Sequence, residues 1–126
     1  MQSSREALLS LARSQSAVEQ AAHRIDARPG DVLVVGRMLL RLAEHEQEAL
    51  RPLLPLLDPA VRAILEAEHQ QIDEDLALLD WLAATDSDSP DIAVLTTSLT
   101  RRIREHLGRD RRLLDRAMSL IAARQP

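Results

Sequence analysis

The 126-residue chain has the size of one ordinary domain, and its 45% hydrophobic residues suffice for a single core over residues 1–126. Net charge is −4, with one Trp, no Phe and no Tyr; the arginine-rich run from Arg101 to Arg112 therefore lacks aromatics to stack bases, and nucleic acid is not an expected partner. The absence of Cys excludes disulfides, thiolate metal sites and thiol nucleophiles, so any metal must sit on His, carboxylates and water.

The apolar residues are almost all Leu, Ala, Ile and Val, a composition that favours helices over sheets. A first helix is expected after the Ser3-Ser4 cap, with Glu6 in its first turn, running to about Ala27, where Arg28-Pro29-Gly30 stops it. Asp31 is then expected to cap a second helix, apolar from Val32 through Leu50, that runs into Pro52 and Pro55. Asp58-Pro59 reads as N-cap and first residue of a third helix ending about Ala84. Thr85 to Pro90 is a turn of breaker residues, and a fourth helix follows from about Pro90 to Ala123. Four such helices with short loops predict an all-α, antiparallel, up-down-up-down four-helix bundle. No segment holds the roughly 18 apolar residues of a membrane span, and Met1 to Arg13 has no uninterrupted apolar stretch of a signal peptide, so a cytoplasmic setting with no membrane partner is expected.

At about 100° per residue each helix has an apolar stripe, and polar residues within a stripe need explanation. In the first helix Gln15 falls among Leu8, Leu11, Val18, Ala22 and Ile25. In the second, Glu46 lies about 20° from the centre of a stripe through Val35, Met38, Leu39, Leu42, Ala49, Leu50 and Leu53. In the fourth, His106 and Asp110 lie about 30° and about 10° from the centre of one through Ile92, Leu95, Leu99, Ile103, Leu113, Ala117 and Ile121. The third helix, with Val61, Leu65, Ile72, Leu76, Leu79 and Ala83, carries Glu68 about 35° to one side and His69 about 70° to the other. Gln15 and Glu46 are each about four turns from the turn between the first and second helices, and His69 and His106 each about four turns from the turn between the third and fourth, so the inward polar residues converge at one level.

Two histidines and two carboxylates in an apolar core require compensation, because an unpaired buried charge costs several kcal/mol. A divalent metal supplies it, since imidazole and carboxylate are its natural ligands when thiolate is absent. His106 with Asp110, and His69 with Asp73, have the i, i+4 spacing for such a site. A metal-free network, with Glu46 and Asp110 paired to protonated histidines or to an inward Arg41, is the alternative. His23 reads as a surface residue and His45 as a flanking one.

This arrangement resembles the hemerythrin-like, HHE cation-binding domains over nearly the whole chain. The resemblance rests on Glu46 with Pro52 six residues on, on Glu68-His69-Gln70-Gln71-Ile72, and on His106 with Asp110. It implies a four-helix bundle with non-haem iron in its core. The family's histidines on the first and second helices fall here on Gln15 and Leu42, and a second histidine of the third helix, present in the oxygen-carrying branch, on Asp73. What is kept is the ligand set of one iron and the two would-be bridging carboxylates. One metal on His69, His106, Asp110 and Glu46 is therefore expected, with Gln15 or Asp73 as a weaker oxygen ligand. Iron(II) suits two histidines and a carboxylate with open positions, zinc or manganese would fit too, and O₂, NO or peroxide is the implied small ligand.

A metal-free helical interaction module is the competing expectation, favoured by Leu42. Leu9, Val34, Leu40, Leu54, Leu57, Leu78 and Trp81, off or at the margins of the stripes, are candidates for a homodimer face. No nucleophile with a paired base is written in the sequence, so the reading leans away from an enzyme.

Overall fold

The computed structural model describes residues 3–124, and among them there are four α-helices and no strand. The helices are α1 (Ser4–His23), α2 (Pro29–Leu50), α3 (Pro59–Thr85) and α4 (Pro90–Arg124), with a 3₁₀ turn over Arg51–Leu56 between α2 and α3. They form the expected antiparallel four-helix bundle: α1 packs on α2 and α4, α3 packs on the same two, and α2 meets α4 across the diagonal. No helix of the described residues is long and apolar enough to cross a membrane.

Local chemistry explains most of the boundaries. Ser3 caps α1 by accepting from the Glu6 N–H at 3.2 Å, and Asp58 caps α3 by accepting from the Ala60 N–H at 2.9 Å ahead of Pro59. The first connection differs from expectation. Helix α1 ends at His23 rather than near Ala27, because Ile25 turns into the core and Ala27 takes φ 58°, reversing the chain before Pro29. Arg104 of α4 donates to the carbonyls of Ala22 and Ile25, tying the shortened helix end to α4. Pro29 opens α2 instead of stopping α1, and Asp31 does not cap it: Arg28 holds the N-cap position without a side-chain bond, and Asp31 sits in the first turn accepting from Arg28 Nε at 3.2 Å.

The core is one cluster fed by all four helices, with Leu8, Leu11, Leu39, Leu53, Ile72, Leu79, Leu99, Ile103 and Leu114 fully enclosed. Each such side chain contributes about 1.5–3 kcal/mol of burial. Val61, expected inward, is exposed, while Leu57, expected at a margin, is buried; the connector residues Leu53 and Leu57 fill that end of the core in its place. Leu40 and Leu54 are partly buried against the core. Arg41 faces solvent and takes no part in the interior.

Gly36 is buried where α2 crosses α3, and a Cβ there would lie 2.5 Å from Leu76 Cδ2 and 2.7 Å from Leu76 Cδ1. Leu76 is itself buried and has little room to yield. Gly36→Ala should therefore lower stability by about 1–2 kcal/mol, overpacking outweighing the roughly 1 kcal/mol gained in helix propensity. Urea denaturation measures this; a more stable variant would show that Leu76 moves freely.

Candidate metal centre

Midway along the bundle the core stops being apolar. From α4, His106 and Asp110 point inward one helical turn apart and are 0% and 1% exposed. From α3, the adjacent residues Glu68 and His69 leave the helix on either side of its inward direction, and both are half-buried. The His69 and His106 rings meet edge to face with centroids 4.3 Å apart. Glu46 from α2 and Gln15 from α1 are buried in the same interior.

Glu68 organises this cluster. Its Oε1 lies 3.1 Å from His106 Nδ1, and its Oε2 accepts from Arg109 at the bundle surface. With Nδ1 as the donor to Glu68, neutral His106 presents a bare lone pair at Nε2, the tautomer a metal ligand needs, and a carboxylate on the other ring nitrogen raises its basicity. Nε2 lies 3.2 Å from Asp110 Oδ2, an ion-pair distance, but it is not aligned as a hydrogen bond. The Nε2 atoms of both histidines and both carboxylate oxygens of Asp110 are buried without a hydrogen-bond partner among the described residues, as is Gln15 Nε2.

Electrostatics sharpen the picture. Burial pushes the Glu46 carboxyl up to about 9, and the neighbouring Asp110 carboxylate adds to that rise, so Glu46 is protonated at neutral pH. Burial also lowers His69, reinforced by His106 and opposed by Asp110 and Glu68. Burial is the largest single influence on His106 and opposes its cation, but Asp110 and Glu68 together outweigh it, and the net shift is upward.

His69, His106 and Asp110 form a group able to hold a metal ion: each brings one ligand atom within 4.8 Å of the others. Ligand atoms on one metal stand about 3–4 Å apart at bond lengths of about 2.1 Å, so modest side-chain rotation closes the set. Of the other residues singled out from sequence, Glu46 and Gln15 are buried nearby but outside this closest group. Asp73 lies on the exposed side of α3, bordering a surface recess with His69, and is outside the closest group. Leu42, 3% exposed, fills with hydrocarbon the α2 position one turn before Glu46. His45 is half-buried with Nδ1 3.2 Å from Ser14 Oγ, facing α1 rather than the centre, and His23 is exposed as expected.

Two features escaped the sequence. Glu68, about 35° from the stripe, lies nearer to it than His69 at about 70°, and this is the sequence signal for its contact with His106. Asp75, 8% exposed, is held by Arg102 of α4 and by Gln71, pinning α3 to α4 nearly two turns along α3 from Glu68 and His69. No feature of the apolar pattern distinguished that Asp from its exposed neighbours.

A recess of about 320 Å³ between α2 and α3 runs from the surface to Glu46 and His69, walled by Leu50, Leu54, Leu65 and Leu113. A small molecule or ion could therefore reach the centre without unfolding the bundle. The fold and this group together define an all-α bundle with a buried two-histidine, one-carboxylate cluster. Comparison with protein-family models, curated proteins and solved structures found no match.

Proposed function

We propose that this chain is a hemerythrin-like metal-binding protein that holds one divalent metal in its core, on His69, His106 and Asp110, with Glu46 as the fourth protein ligand. The observation that carries the reading is the set of buried donor atoms: both Nε2 atoms and both Asp110 oxygens lie in the interior without an aligned hydrogen bond, His106 Nε2 meeting Asp110 Oδ2 only at an ion-pair distance of 3.2 Å. Leaving such groups unsatisfied costs about 1–3 kcal/mol each, and a cation compensates them all at once. Two histidines and carboxylate suit iron(II), and such a centre with open positions would bind O₂, NO or peroxide; zinc or manganese are the other metals for this donor set.

The chain's own residues have distinct tasks in this account. Glu68 holds His106 by Nδ1 and is itself held by Arg109, fixing ring orientation and tautomer. Glu46 gives up its proton when a cation replaces the Asp110 charge as its neighbour, so binding should release protons. Gln15 and Leu42, in place of imidazoles, leave too few donors for a second metal. The recess beside His69 supports a role for a small ligand rather than a macromolecular substrate. A cytoplasmic setting fits the cysteine-free composition.

A second reading, a metal-free helical module, is favoured by Leu42 and by the chain of contacts from Asp110 through His106 and Glu68 to Arg109. Elemental analysis of protein expressed with added iron, zinc or manganese separates the two. At most one equivalent per chain is expected; two equivalents with an oxo-bridge absorption band would overturn the single-metal assignment, and none would favour the metal-free reading.

A further inference from the structure

Of the large apolar residues that the fold leaves exposed, Leu56, Val61, Ile64, Leu78 and Trp81 gather along the outer side of α3 and the connector before it. They form two groups at the ends of α3, Leu56, Val61 and Ile64 at one and Leu78 and Trp81 at the other, about 20 Å apart along the helix. On α3 the exposed residues Ile64, Ala67, Gln71, Glu74, Leu78 and Trp81 alternate in steps of three and four, the spacing by which one helix seats against another. Ile64, Leu78 and Trp81 are 53%, 48% and 60% exposed on this line.

The two ends of the stripe differ in shape and charge. Its N-terminal end borders a groove of about 740 Å³ between α3 and α4, floored by Leu56, Val61 and Ile64 and edged by Arg109, Arg112 and Arg116. Those arginines follow i, i+3, i+7 spacing and so extend about 10 Å along α4, too far for one small anion to meet together. Arg109 is paired with Glu68, but neither Arg112 nor Arg116 has an ion-pair partner among the described residues. The C-terminal end carries protruding Leu78 and Trp81 and is followed by the exposed acidic turn with Asp86 and Asp88. One end is concave and basic; the other is convex and acidic.

We propose that this face docks a second copy of the chain, α3 against α3 in antiparallel fashion about a two-fold axis at Gln71. In that register Leu78 of each copy meets Ile64 of the other, and Trp81 enters the groove at Val61. The acidic turn comes level with Leu56 and Arg116, and each contact occurs twice, as an isologous dimer requires. Gln71 at the axis faces its own copy with Ala67 and Glu74 beside it, so the centre of the contact is polar and the apolar contacts lie at its two ends. The self-complementarity of charge selects a second copy over an unrelated acidic helix, because the basic groove and the acidic face that fits it are both present on this chain. The dimer does not depend on whether the core binds metal.

Trp81 is the only Trp in the sequence, so its fluorescence reports on this face alone. Sedimentation of the full chain up to on the order of 100 μM, a range that captures micromolar dimers, should reveal a species of twice the 14.1 kDa chain mass. Emission should shift to shorter wavelength as it forms. Ile64→Glu should leave the helical circular dichroism unchanged and give a monomer. Arg112→Glu with Arg116→Glu should weaken association about tenfold or more, and adding Asp86→Arg and Asp88→Arg should restore it. A parent that stays monomeric with solvent-exposed emission, a dimer indifferent to Ile64→Glu, or a double charge reversal that restores nothing would overturn the proposal.

Discussion

His106→Ala is expected to abolish metal binding and to make stability indifferent to chelator. In the parent, a metal bound as proposed would tie α3 to α4 and, through Glu46, to α2, and so would stabilise the folded chain by the free energy of binding. At a free metal concentration one hundred times Kd that amounts to about 2.7 kcal/mol, or roughly 10 °C in Tm for a chain of this length. Removing the ring takes away one donor directly and strands a second group, because Glu68 loses the Nδ1–H it accepts. It also leaves a hole where a 0% exposed side chain stood, so the variant should be less stable than the parent even in chelator. Thermal melts of parent and variant, each with metal and with chelator, give four values. The expected pattern is a metal-dependent parent and a metal-blind variant; a parent that melts identically in metal and chelator would leave only the metal-free reading standing.

In metal-free protein, Asp110→Asn and Glu46→Gln should have opposite consequences although both neutralise a buried carboxyl. Asp110 and Glu68 both face the His106 ring, at 3.2 Å and 3.1 Å, and Asp110 is the more deeply buried of the two, so its loss removes one of the ring's two counter-charges at a cost of up to about 3 kcal/mol. Glu46 is protonated in the folded state, with its carboxyl raised to about 9 by burial and then by Asp110, so an amide of the same shape replaces it at little cost. The pH dependence follows from the same shift. Below about 4.5 the carboxyl is protonated in both folded and unfolded chains; above it the unfolded chain ionises while the folded one holds its proton up to about 9. The unfolded state therefore binds fewer protons across that window, and rising pH progressively removes stability, by a few kcal/mol in all. Urea midpoints in chelator, measured for parent and Glu46→Gln between about pH 5 and about pH 9, should diverge as pH rises, with the variant the more stable at the alkaline end. Parallel curves would mean that Glu46 ionises freely in the folded chain.

Periodicity made much of this molecule legible. Gln15, Glu46, His106 and Asp110 were placed inside the bundle by their angle to the apolar stripes, and all four are buried. Stripes fail at edges, where angle alone does not say which neighbour a side chain meets. His69 and Asp73 sit one turn apart on the same flank of α3, yet His69 stacks on His106 while Asp73 faces solvent. Glu68, nearer the stripe than either, was recognisable only once α4 was in place to offer His106 and Arg109. The first loop was misread for a related reason: Pro29 is equally suited to stopping one helix and starting the next, and burial of Ile25 decided between them. Val61 and Leu57 exchanged roles because the 3₁₀ turn, invisible to a 3.6-residue period, delivers Leu53 and Leu57 to the end of the core.

The central claim, one metal on one set of side chains, is tested most directly by anomalous X-ray scattering from a crystal grown with iron(II) or soaked in zinc. The account predicts a single anomalous peak per chain, within bonding distance of His69, His106 and Asp110 and adjacent to Glu46. A peak placed only on surface carboxylates, two peaks in the core, or a core with none at saturating metal would contradict it.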